Sequence, residues 1–268
     1  MWNISTGNVF YSAHTHNRSK SDYSNESIKG SLSNRDGLRL TNMTVGGESS
    51  SSMGRVDAVD SHLKSVTGRD GVTLRNSSAT DVRSSMGRVN ADDCQLRSVQ
   101  GRDAVTLTNS SAKDVQSSMG RVHWDGQKEP ATENAIVSGR DGVSLTNVRA
   151  HRATSSMGRV TVHGGTCKTL EGRDGVEGTS TTFGKATSSM GRAVVTQCQG
   201  GRAEGREGVV VTDHSTLNSA GSSMGRAVIS DSTVEDVSAR DGVQMTNSLG
   251  RKAESSQGTV TISCKESE

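Results

Sequence analysis

The sequence predicts an all-β protein of a single domain, a parallel β-solenoid of short stacked coils, and three observations predict it. Two short motifs alternate along the whole chain. The small and apolar residues between them recur in steps of two and three, which no helix would produce. The composition is also thin for a globular core, with 30% hydrophobic and 2% aromatic residues among 268, so the apolar side chains must be shared out along a narrow interior.

The first motif, Ser-Ser-Met-Gly-Arg, begins at Ser51, Ser84, Ser117, Ser155, Ser188 and Ser222, with a decayed copy at Ser255. The second, Gly-Arg-Asp-Gly-Val, is centred on Asp70, Asp103, Asp141 and Asp174, with variants at Asp36, Glu207 and Asp241. Each series recurs every 33 or 34 residues apart from one interval of 38, a period that marks a repeat architecture. Ankyrin repeats share that period but need two helices and a Thr-Pro-Leu-His signature absent from this chain. Here the inward candidates run Val72, Leu74, Ser77, Ala79, Val82, which reads as short strands joined by bends. Val56, Ala58, Ser61, Leu63 and Val66 give the same comb in the other series. The structural unit is therefore half the repeat, one coil of 16 or 17 residues, and the anchors from Leu38 to Val260 define fourteen coils. The expected boundaries are a polar extension or cap over 1–33, the solenoid over 34–263 and a tail over 264–268. Parallel crossovers take the right hand, so a right-handed coil is expected. Trp2, Phe10, Tyr11 and Tyr23 gather at the start, as a cap over the first coil would require.

Stacking turns each motif position into a column. Four residues after second-series anchors stand Asn76, Asn109 and Asn147, expected to bend the chain with left-handed backbone and to ladder to neighbouring coils. Two residues before the anchor, glycines such as Gly87 and Gly120 alternate with Asp70, Asp103 and Asp141. That alternation predicts a turn of positive φ in which the aspartates serve the turn rather than catalysis. Arg88, Arg121 and Arg159 precede first-series anchors and are expected to sit between acidic neighbours, while second-series arginines lie over first-series methionines. Exposed pairs of this kind contribute about 0–1 kcal/mol each, so such a lattice would fix coil order more than add stability. Cys94, Cys167 and Cys198 fall on the inward comb and Cys264 at a bend, without CxxC spacing or adjacent His pairs. They read as small buried hydrophobes and not as a zinc site.

Function is less legible. Lys plus Arg (31) nearly balances Asp plus Glu (29), a net +2, which argues against a nucleic-acid partner. No apolar run is long enough for a membrane span or a secretory h-region, so the expectation is a soluble chain, cytoplasmic or exported without a conventional signal peptide. The Ser-rich start resembles type III secreted effectors in composition. His14 and His16 share a strand face but lack a third ligand, and no cofactor motif or Gly-x-Ser-x-Gly elbow occurs, so neither metal nor cofactor is expected. Pectate lyases and polygalacturonases place acidic residues on a solenoid face, but on longer coils with aromatic platforms. Ice binding would need unbroken threonine ranks, and Arg75 interrupts the column of Thr41, Thr108 and Thr146. In coil length, though not in motif, the chain resembles bactofilin-like cytoskeletal solenoids.

The leading expectation is a non-enzymatic structural or interaction scaffold. Alternatives are a secreted effector or adhesin, a carbohydrate-active lyase or hydrolase, and last an ice-binding surface. Partners would be a second copy, joined through the C-terminal coils, whose edge at Val260, Thr261 and Ile262 is expected to be open to pairing, and a protein or glycan. One place breaks the repeat: the coil from Val122 to Val143 is four or five residues longer than its neighbours and contains the only proline. Insertions in solenoids emerge as loops and often bind. His123, Trp124, Asp125 and Lys128 are therefore the candidate binding set, with Trp124 either an anchor for a partner or packed down on the neighbouring coil.

Overall fold

The computed structural model describes residues 21–126 and 135–263. Among these residues every helix or strand assigned is a strand, and the strands stack in parallel as a β-solenoid of about 14 turns. The chain forms two compact units, residues 1–118 and 119–268.

In the first unit the coil beginning at Gly71 shows the plan. Strand Gly71–Arg75 points Val72 and Leu74 inward, and after a bend at Asn76 strand Ser78–Ser84 points Ala79, Val82 and Ser84 inward. Thr80 and Asp81 both face outward, a kink that resets the alternation and accounts for the step of three inside one strand. Val72 lies in register between Val56 and Val89, and Leu74 between Ala58 and Ala91. The interior is thus a set of apolar columns, each residue stacked on its equivalents one coil away.

The second unit repeats the plan, with Val143, Val160, Val176, Ala193, Val209, Ala227 and Val243 in register. Columns trade volume between coils. Phe183 stands opposite Gly200, where an added Cβ would lie 2.5 Å from the Phe183 ring, so one coil gives up a side chain to admit its neighbour's ring.

The bends are made by a column of residues in the left-handed region, Asn25, Asn42, Asp60, Asn76, Asp93 and Asn109 in the first unit and Asn147, Ser180, Gln197, Asp213, Asp231 and Asn247 in the second. The column runs through both series, because Asp and Gln occupy it where Asn does not. In several coils the residue directly after it is an inward serine, as at Ser61, Ser77, Ser110 and Ser232. Ser61 Oγ donates to its own coil's Val59 carbonyl at 2.8 Å and accepts the Met43 amide of the previous coil at 3.1 Å. Ser77 repeats both contacts with Arg75 and Ser61, so backbone groups turned inward at the bend are satisfied within a narrow core.

Three expectations need correction. The first described coil begins at Asp22, not at residue 34, because Asp22, Tyr23 and Ser24 pair with Arg39, Leu40 and Thr41. Tyr23 is accordingly a buried core residue of that coil, while Trp2, Phe10, Tyr11, His14, His16 and the tail 264–268 with Cys264 lie outside the described residues. The first-series glycines do not carry positive φ. Positive φ belongs to Gly71, Gly142, Gly175 and Gly208, the residue after the acidic one. Gly87, Gly158 and Gly191 are glycine for another reason: a Cβ there would overlap the carbonyl oxygen of Asp70, Asp141 and Asp174 in the preceding coil.

Candidate interaction surface

The two motifs meet at one corner of each coil. In Ser-Ser-Met-Gly-Arg the first serine faces inward: Ser188 Oγ accepts the Gly191 amide at 3.0 Å and donates to the Arg173 carbonyl of the previous coil at 3.2 Å. Ser84 and Ser155 make the same pair of contacts. This clamp sets the turn, the glycine lets it close against the coil below, and the methionine between them is pushed out to solvent. Met53 and Met86 in the first unit, and Met119, Met157, Met190 and Met224 in the second, are each 43–46% exposed.

Each methionine is engaged by the turn arginine of the following coil. Arg69 Nη1 reaches Met53 Sδ at 2.9 Å and Arg102 reaches Met86 at 2.8 Å. In the second unit Arg140, Arg173, Arg206 and Arg240 reach Met119, Met157, Met190 and Met224 at 3.0–3.2 Å. The strand arginine of the first motif lies instead over the glycine of the next coil: Arg55 Nε would be 3.6 Å from a Cβ on Gly71, and Arg159 Nε 3.2 Å from one on Gly175. The Arg/Gly alternation therefore gives each guanidinium stem a bare backbone to lie on.

The result in each unit is a ridge of side-by-side columns, Met alternating with Arg, Gly with Asp, and Arg with Gly. Asp70, Asp103 and Asp141 are exposed at its centre, and Arg88, Arg121 and Arg159 are exposed along its inner column. Asp70 lies 4.0 Å from its neighbour Arg69, and Asp174 lies 3.9 Å from Arg173; Arg159 reaches Glu177 at 3.4 Å. In the second unit the ridge carries eight arginines, from Arg121 to Arg240, against the turn residues Asp141, Asp174, Glu207 and Asp241 and the Glu177 paired with Arg159, a surplus of three in a chain whose net charge is +2.

The bend asparagines are exposed beside a different corner. Asn76 Nδ2 donates to Asp60 Oδ1 of the preceding coil at 2.6 Å; Asn109 and Asn147 have the same left-handed backbone. The inserted coil is placed differently from a docking loop with an exposed ring. Trp124 is only 2% exposed, in register with Leu145 on strand Arg121–Asp125, so its indole fills the core. Only His123 beside it is well exposed, Asp125 is half-buried, and Lys128 lies outside the described residues. A strand pattern signalled this: Trp124 is two residues after the anchor Val122, the position of Ala91 and Leu107.

Cys94, Cys167 and Cys198 are buried and unpaired. Burial raises all three thiols, Cys167 up to about 12, so each stays protonated and unreactive at neutral pH. Among the described residues no His, Cys, Asp and Glu group has the geometry of a metal site, and no helix is long and apolar enough to cross a membrane. Comparison with protein-family profiles, with curated proteins and with solved structures finds no match for the chain.

Proposed function

We propose that the chain is a non-enzymatic interaction scaffold. The observation that carries this reading is the ridge: the same exposed set of Met, Arg and acidic side chains, held by the same serine clamp, returns every second coil. Repetition of one contact set suits a partner that is itself extended or repetitive, since each weak contact is multiplied along the stack. Catalysis would draw instead on a cluster that occurs once. Excising residues 159–191, one full period, tests the reading. Partners captured on the immobilised chain should be retained in proportion to the ridge that remains, whereas a partner lost completely would mark a unique site and overturn it.

The scaffold also joins a second copy of itself through its C-terminal coils. In the outermost described strand, Val260 and Ile262 are 42% and 58% exposed, although they continue columns in which Val243 and Met245 are buried. A coil of this chain has the cross-section and the comb to cover them. Sedimentation should show association that rises with concentration and is abolished in the Ile262→Lys variant; a monomer throughout the range would count against it.

A further inference from the structure

We infer that the ridge of the second unit binds a linear polysaccharide bearing an anionic group on alternate sugars. This deepens the scaffold reading and rests on it. The strand arginines Arg159, Arg192 and Arg226 stand two coils apart, roughly 10 Å at ordinary strand spacing. The turn arginines form a second column offset by one coil, and each tile also holds one acidic residue. The net charge is thus one cation per roughly 10 Å, about the length of an extended disaccharide, except in the tile of Arg159, where Glu177 pairs with that arginine.

Three features of the tile fit a glycan. Arginine forks match carboxylate or sulfate with paired N–H donors. Between them Asp141, Asp174 and Asp241 present exposed carboxylates, which can accept hydrogen bonds from the hydroxyls of the uncharged sugar. Met157, Met190 and Met224 lie 43% exposed beside the guanidinium groups and give the C–H faces of the rings a soft apolar contact. A nucleic acid fits less well. Its strand carries a charge about every 3.4 Å, so phosphates would fall against the interleaved carboxylates, and the ridge motifs contain no aromatic residue on which bases could stack.

Fluorescence anisotropy with labelled hyaluronan oligomers, which carry carboxylate alone on alternate sugars, and labelled keratan sulfate oligomers sulfated only on the glucosamine, which carry sulfate alone on alternate sugars, would test the inference. Saturable binding of either at low salt, weakening as salt rises, is expected, and the one bound identifies the anionic group. The triple variant Arg159→Gln, Arg192→Gln, Arg226→Gln should bind about tenfold more weakly or worse. The Asp174→Asn variant keeps an amide oxygen that can accept the sugar hydroxyl, removes a repelling charge and leaves every ridge arginine in place, so it should bind about twofold to fivefold more tightly; it remains decisive if the triple variant does not fold. Failure of both polymers to bind, tighter binding of single-stranded DNA of equal length, or unchanged affinity in Asp174→Asn would each overturn the inference. The excision of 159–191 separates the two levels: a proportional loss of protein partners without any glycan binding leaves the scaffold reading standing and removes this one.

Discussion

At the scale of single residues the narrow interior makes small polar groups matter. Ser49 sits between Leu32 and Val66 in an apolar column, fully buried, and its hydroxyl has no hydrogen-bond partner. Every inward serine at a bend or turn described above has one, so Ser49 carries an unrecovered desolvation cost. Ser49→Ala should therefore raise stability by about 1 kcal/mol in urea titration. Cys167 gives a pH test. Its folded thiol is raised to about 12 from an ordinary 9.0, so the folded state holds the proton more tightly than the unfolded state. The contribution to stability is complete below pH 9.0 and is lost as pH climbs toward 12. Urea titrations across that range should show a steeper decline for the parent than for Cys167→Ala, and parallel declines would refute the assignment.

At the scale of the element, the turn separates two uses of glycine that the sequence writes identically. Gly158 has no room for a side chain because the Asp141 carbonyl occupies it, whereas a Cβ on Gly142 would stop 3.3 Å from the Arg159 carbonyl oxygen, a far milder approach, but would be held at a φ of 149°. Strain at such a φ costs about 1 kcal/mol for alanine, and the one coil with alanine at the equivalent position, Ala104, does not adopt the positive φ, so the turn can relax around a Cβ there. A Cβ driven into a carbonyl requires the coils to move apart, costing upwards of about 3 kcal/mol. Thermal melts should thus rank Gly158→Ala well below Gly142→Ala. Equal effects would show that the turn can open without disturbing the coil beneath it. The same logic explains the serine clamp: a short hydroxyl that both accepts and donates is the smallest side chain able to close this turn on the coil before it.

At the scale of the molecule, stability should accumulate coil by coil, because each coil touches chiefly its neighbours. Excising 159–191 removes one period without breaking any column, since Arg192 takes the place of Arg159. That variant should keep a circular dichroism spectrum of sheet without helix, while its urea m-value falls in proportion to the surface no longer buried. A collapse to an unfolded spectrum would show that the period is not the cooperative unit. The sequence by itself determined the coil, its length, its inward comb and the bend column, because a stacked repeat forces each position to meet the same environment again and so prints its physics many times. The tertiary structure alone decided what single positions do. Whether Gly158 serves backbone angle or close approach depends on where the previous coil's carbonyl lies. Whether Trp124 faces solvent or core depends on the strand it joins. The Met and Arg columns of each unit become a ridge only when successive coils are stacked, since charge and exposure are properties of the folded surface and not of the order of residues.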